Sequence, residues 1–379
     1  MLKILILCST LDLSKPFGAT PALWQLFKGF YEEGHELIIV PYHGKEIQSL
    51  WWKCYPNPNY YEGQILEKII SHFKISNKKN SSIIPKLARM LTKPKLEDSL
   101  LKIFENENEI EAFLMIGVPL NQLTGLPKKI RKYNKIPIIF YDLDVPTALP
   151  SHGGFTFNYY KNAEFDEIDS FIIPSEGSIN ELKELGARNI HIVHFGVDPD
   201  VYSPLSVEKD IDFFFFGNGG KAREKNISMM IAGPSKKLHN KFLVSGRSMD
   251  VDLGNSTLIP PISFTEWRKY ASRTKINLNV VRELHASFRA TSTSRPFELG
   301  AMKCCTVSAP YDGLEKWFEI GKEIFIVNSE KDCIDTYQMI LNDDELRERV
   351  GLAAQKRVLK DHTSRNRAKE IISIIQKYI

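Results

Sequence analysis

Two apolar rhythms alternate along the chain. Lys3 to Cys8 is an almost unbroken apolar run, as expected for a parallel strand covered on both faces. A loop with Pro16 and Gly18 follows. Leu23, Leu26, Phe27 and Phe30 then recur at helical spacing, and Gly34 stands where a helix stops. Leu37 to Val40 is apolar again, so this strand–loop–helix–strand unit closes right-handed into a parallel sheet.

The rhythm repeats at Phe113 to Val118, Ile136 to Tyr141, Phe171 to Ile173 and Ile190 to Val193. Between the last two runs, Ser178 and Glu181 predict a capping box, Leu182 and Leu185 a buried stripe, and Gly186 the helix end. Pro199 to Asp210 is polar and reads as a linker. A second set opens with Phe213 to Phe216, which ends at Gly217. It continues with Ile276 to Val281, Thr306 to Ser308 and Ile324 to Val327. Alternation of this kind in both halves predicts an α/β chain of two Rossmann-like, doubly wound domains. Ala368, Ile371, Ile372 and Ile375 form one stripe of a closing helix, which must pack on something.

At 379 residues the chain exceeds one ordinary core, which supports two domains. Its net charge of +4 fits a nucleoside diphosphate or an anionic membrane face. A duplex-binding protein shows a denser basic cluster, so no nucleic-acid partner is expected. The five cysteines, Cys8, Cys54, Cys304, Cys305 and Cys333, are odd in number and lack CxxC spacing. They predict reduced thiols in a cytoplasmic protein rather than a disulfide framework or a zinc site. No run is long enough to span a membrane, and the opening MLKILILCST reads as a strand.

Residues 68–102 depart from the pattern. Lys74, Lys78, Lys79, Lys86, Arg89, Lys93 and Lys95 surround Ile83, Ile84, Leu87, Met90 and Leu91 at roughly helical spacing. One reading is a surface that meets anionic lipid, at the inner face of the membrane, or a charged acceptor. The other is a solvated insertion.

Open α/β sheets bind ligands beyond the carboxyl ends of their strands, and three loops of the second half carry suitable chemistry. Gly217-Asn218-Gly219-Gly220-Lys221 follows a strand and precedes Arg223 and Lys225. Glycines there let the backbone approach a ligand, and the cations can neutralise phosphate oxygens. Arg282 and His285 follow the next strand, where they suit diphosphate binding or protonation of a leaving group. The third loop is Thr291-Ser292-Thr293-Ser294-Arg295-Pro296-Phe297-Glu298. Its hydroxyls and Pro296 mark a helix start, where free N–H groups favour an anion. Glu298 is expected in the first turn, either as a plain cap or as an acceptor for the vicinal hydroxyls of a ribose.

These segments carry a family resemblance. Asn279-Val280-Val281-Arg282, Ser294 to Ala301, Gly313 to Glu323 and Asp361-His362-Thr363 with Arg367-Ala368 resemble the CgeB-like (spore-maturation-type) glycosyltransferases, relatives of glycosyltransferase family 4. Arg188 to Asp198, ending Phe195-Gly196-Val197-Asp198, resembles the segment that closes their first domain.

The resemblance implies the GT-B fold: an acceptor domain at 1–197, a donor domain at 198–361, an inter-domain cleft, and a last helix, 362–379, packed back on the first domain. It implies a UDP- or GDP-sugar as substrate, no cofactor, metal-independent transfer, and an acceptor that is a cell-surface glycan or is lipid- or protein-linked. Arg223, Arg282 and Glu298 take the catalytic positions. Gly217, Gly219, Lys225, His285, Ser294, Arg295, Pro296 and Phe297 join Glu298 around the donor.

Glu298 matches the later glutamate of the family 4 E-x7-E motif, but the earlier one falls on Ala290. That substitution leaves the sugar contact and the retaining outcome open. A nucleotide-sugar 2-epimerase and an inactive GT-B-like nucleotide binder remain alternatives.

In the first half, Asp142-Leu143-Asp144 matches the metal-holding pattern of the GT-A enzymes, but two carboxylates supply few of the ligands a hard cation takes. Asp142 and Asp144 are instead expected on the acceptor side, with His152 and the loop of Gly18. His191 and His194 sit three apart on a strand and point to opposite faces, so no metal is expected there.

Overall fold

The computed structural model describes residues 1–13, 21–72, 83–152 and 159–379. The chain forms two compact units. One contains Met1–Asp12, Phe27–Val193 and Ala368–Ile379; the other contains Leu13–Leu26 and His194–Arg367.

The strands of the first unit are β1 (Lys3–Thr10), β2 (Glu36–His43), β3 (Lys53–Cys54), β4 (Ala112–Ile116), β5 (Ile138–Tyr141), β6 (Ser170–Ile173) and β7 (Ile190–Ile192). The helices are α1 (Ala22–Glu32, shared between the units), α2 (Tyr60–His72), α3 (Ile83–Asn106), α4 (Leu120–Leu123), α5 (Leu126–Tyr133) and α6 (Ile179–Glu184). All seven strands are parallel, in the order β3-β2-β1-β4-β5-β6-β7. Burial on both faces explains their composition: Ile4 to Cys8 and Ala112 to Ile116 are fully enclosed.

Ser178 stands at the start of α6, but its hydroxyl bonds Ser175 at 2.8 Å, and Glu181 bonds the Ser151 hydroxyl. The expected capping box does not form. A 3-10 turn over Glu176–Ser178 holds Ser178 in helical backbone geometry, whereas a capping residue needs an extended one. That signature appears instead at Ser263 with Glu266, at the start of α9 (Phe264–Ser272).

The second unit contains β8 (Ile211–Phe216), α7 (Glu224–Ile227), α8 (Gly233–Lys237), β9 (Phe242–Ser245), β10 (Thr257–Ile259), α9 and β11 (Thr274–Asn279). There follow α10 (Glu283–Ser287), α11 (Ser294–Ala301), β12 (Thr306–Ser308), β13 (Phe325–Ile326), α12 (Glu330–Leu341) and α13 (Asp344–Asp361). α14 (Ser364–Ile375) begins here and continues into the first unit. The sheet is again parallel, in the order β10-β9-β8-β11-β12-β13. β9 and β10 went unpredicted: one is four residues long, and the other is a largely exposed edge strand.

The residues read as a linker pack onto this unit. Tyr202 is buried, with its ring 5.4 Å from that of Trp267, and Arg268 donates to the Ser203 carbonyl. Among the described residues, no helix is long and apolar enough to cross a membrane. The five cysteines are buried and unpaired.

Candidate functional site

Strand order decides where a ligand can sit. β8 has β9 on one side and β11 on the other, so the loops leaving β8 and β11 diverge and open a crevice at the carboxyl ends. A cavity of about 490 Å³ lies there, walled by Phe215 to Gly219, by Ala222 and Arg223, by Asn279 to Arg282, and by His285 and Thr293 to Arg295.

Hydrogen bonds tie the two strand ends together. Arg223 donates from Nε to the Val280 carbonyl and from a terminal nitrogen to the Asn218 carbonyl, each at 2.8 Å. Asn226 reaches the Val281 carbonyl at 3.1 Å, and the Glu283 amide bonds the Ala222 carbonyl at 3.0 Å. Gly219 is required by close approach: a Cβ there would stand 2.5 Å from the Ser248 carbonyl oxygen.

The third wall is the start of α11. Thr293 is the N-cap, with extended backbone, so the helix begins at Ser294 and Pro296 is its third residue rather than its first. Proline is tolerated there because the opening N–H groups of a helix have no intrahelical acceptor. Glu298 therefore falls in the second turn. It is fully buried behind the cavity wall and accepts a 3.1 Å bond from Arg295. The Arg295 guanidinium lies 4.0 Å from the Trp267 ring centroid and 4.9 Å from that of Phe216, so two aromatic faces and one carboxylate fix its position.

Of the predicted donor residues, Gly217, Gly219, Arg223, Arg282, His285, Ser294 and Arg295 share this cavity. Pro296, Phe297 and Glu298 are buried beneath it, Phe297 against His362 and Phe318. Lys225 does not line the cavity. It is an exposed residue of α7, two positions past Arg223, and residues two apart on a helix do not share a face. Thr293 and Asn279 also line the cavity, although sequence reasoning placed them only within the third loop and the family segment, and it gave no role to the aromatic wall of Phe215 and Phe216. The last two were legible only as core.

The first-unit candidates fare differently. Asp142 is buried rather than presented to a ligand, and its oxygens accept from the Tyr160 hydroxyl and, at 2.8 Å, from the Asp144 amide. Burial lifts its carboxyl to about 6, against the opposing pull of those two bonds. Asp144 is half-buried, and His152 lies 4.0 Å from the Glu181 carboxylate. Gly18 falls outside the described residues. His191 bonds the Tyr378 hydroxyl at 3.1 Å, and His194 sits edge-on to Trp317. Among the described residues, no group of three or more His, Cys, Asp or Glu side chains is placed to hold a metal ion.

Residues 221–373 match a family model described as glycosyl transferase-like. A comparison with curated proteins gave no match. Among solved structures, sucrose-phosphate synthase from Thermosynechococcus elongatus superposes with a TM-score of 0.67 at 11% identity, covering 100% of this chain and 99% of that one. HepE from Anabaena, in complex with UDP-glucose, gives 0.63 at 11% identity over 100% of both chains. TarM gives 0.65 at 13% identity over 99% of both. The fold is GT-B: two parallel-sheet units, with the family match confined almost wholly to the second. The family match and the fold together support a transferase of the glycosyltransferase class.

Proposed function

We propose that this chain transfers a sugar from a nucleoside diphosphate held in the cavity of the second unit. One observation carries the reading: Arg223, Arg282 and the start of α11 converge where β8 and β11 diverge. Breaking a glycosyl–phosphate bond leaves negative charge on the departing diphosphate and positive charge on the sugar. Fixed cations and helix N–H groups aimed at the diphosphate stabilise that separation without reorganising. Arg223 is already oriented by its two carbonyl contacts. The family 4 resemblance assigns Glu298 to the donor ribose, but its carboxylate is buried outside the cavity lining and holds Arg295, so its part in this reading is to fix that guanidinium at the cavity wall. UDP-sugars are the first donors to try, because HepE was solved with one.

A thermal-shift screen of UDP- and GDP-sugars tests the assignment. A donor present at about 100 times its dissociation constant adds about 2.7 kcal/mol, a rise in Tm of about 5–10 °C for a unit of this size. No shift with any nucleotide sugar sinks the proposal.

A second reading, nucleotide binding without transfer, draws on Ala290. This residue is fully buried in the left-handed backbone region, with φ of 46°, so position 290 presents a methyl group to the core. Binding with neither transfer nor slow donor hydrolysis would favour it. Donor turnover that needs no acceptor and releases no nucleotide would favour the 2-epimerase.

For the acceptor, a glycan or a lipid-linked or protein-linked group, the basic segment points to a membrane-bound substrate. Residues 68–102 hold nine Lys and Arg against two carboxylates, a net +7 that exceeds the +4 of the whole chain. Tyr61, Ile65, Met90 and Leu91 are exposed on α2 and α3. Sedimentation with vesicles should show binding at least tenfold stronger on anionic than on zwitterionic lipid, since each basic residue near the surface adds about 1 kcal/mol. Equal binding to both removes the membrane from the proposal.

A further inference from the structure

Tyr311 lies in the loop after β12, is 5% exposed, and does not line the cavity. Its hydroxyl donates to the Thr291 carbonyl, and the Thr293 side chain lies within reach of the same hydroxyl. Thr293 is both the N-cap of α11 and a cavity residue.

The neighbouring backbone of that loop grips the same segment twice more. The Asp312 amide donates to the Ala286 carbonyl at 3.0 Å, and the Ala290 amide donates to the Asp312 carbonyl at 2.8 Å. Gly313, with φ of 88°, leaves no room for a side chain: a Cβ would stand 2.5 Å from the Ala290 nitrogen. Behind it, the Trp317 ring meets Tyr311 at 5.6 Å and Phe297 of α11 at 5.7 Å. The loop from Tyr311 to Trp317 thus braces the start of α11 from the side away from the ligand.

The geometry points to Tyr311 as a positioning residue for anion binding: through Thr293 it holds the N-cap turn so that the first N–H groups of α11 face the cavity. This inference rests on the donor site proposed above. A phenol suits the task because its ring is anchored among aromatics while its one polar atom reaches two partners. A buried hydroxyl with both partners in place holds them more rigidly than solvent does.

The test is calorimetric titration of the full chain with UDP, each variant being measured at the same interval below its own Tm. Tyr311→Phe keeps the ring and is expected to raise the dissociation constant about tenfold, the effect of one well-placed hydrogen bond. Thr293→Val, which breaks the same contact from the cavity side, should do likewise. The double variant should be no worse than either single one, because both remove one interaction. A merely structural tyrosine would lower Tm and leave the dissociation constant alone. Affinity within twofold of wild type in Tyr311→Phe, or losses that multiply in the double variant, overturns the inference. If Tyr311→Phe does not fold, Thr293→Val decides alone by the same criterion. Failure of the wild-type chain to bind UDP, GDP or inorganic pyrophosphate overturns the donor site itself, and this inference with it.

Discussion

Arg223→Ala is expected to weaken UDP binding about 100-fold, the largest single effect in the cavity. A hydrogen bond to a charged group contributes about 1.5–3 kcal/mol, and 1.4 kcal/mol is a factor of ten in affinity. Arg223 also ties the Val280 and Asn218 carbonyls, so its removal slackens the two strand ends that shape the crevice. Arg223→Lys separates the contributions. It keeps the charge but cannot reproduce the planar fork across both carbonyls, and it should recover only part of the loss. Titration of the three proteins at fixed ionic strength measures this. Wild-type affinity in Arg223→Ala would show that the diphosphate rests elsewhere.

The second large effect concerns acid. His362 is buried, accepts a 2.5 Å contact from Arg367 at Nδ1, and lies tilted against the Phe297 ring with centroids 4.8 Å apart. Burial first, and the Arg367 charge second, lower its imidazolium pKa from 6.5 to about 3. In the unfolded chain the ring takes up a proton below about 6.5, whereas in the folded chain it resists protonation down to about 3.

Stability contributed by the neutral ring is therefore complete above about 6.5 and is lost as pH falls towards 3. Over that window the loss amounts to at most about 5 kcal/mol. His362→Gln keeps an acceptor for Arg367 but does not titrate. Denaturant unfolding between pH 7 and pH 4 should give a flatter profile for the variant. Parallel profiles would mean that His362 already titrates normally.

The same corner explains a motif that carried the family resemblance without a visible purpose. The Val197 amide bonds the His362 carbonyl, the Ser364 amide bonds the Val197 carbonyl, and Arg367 reaches the Phe195 carbonyl. Phe195-Gly196-Val197-Asp198 and Asp361-His362-Thr363 are thus two sides of one seam, about 165 residues apart in sequence, and no local pattern could pair them. Ser292 belongs to this seam too, since its hydroxyl takes the Phe195 amide at 3.0 Å. In sequence it is one of a row of hydroxyls that mark a helix start. Only packing distinguishes it from Thr293, its neighbour on the cavity wall.

Asp142 shows the same dependence on packing. A carboxylate at the end of a strand was expected to face a ligand, yet Tyr160 closes over it from a later loop. Lys225 and Arg223 looked equivalent as cations after a glycine-rich turn, until α7 began at Glu224 and turned Lys225 outward.

Sequence alone determined the alternation of strands and helices, because residues buried on both faces of a parallel sheet must be apolar and helix stripes must recur every three or four positions. It also determined which loops carry glycine, arginine and hydroxyl groups at strand ends. Tertiary structure decided the rest. Strand order placed the crevice between β8 and β11, and the crossovers that set that order are contacts between distant segments with no local signature. Which cation faces the crevice, and which carboxylate is sealed beneath it, follows from helix starts and neighbouring side chains that only the folded chain brings together.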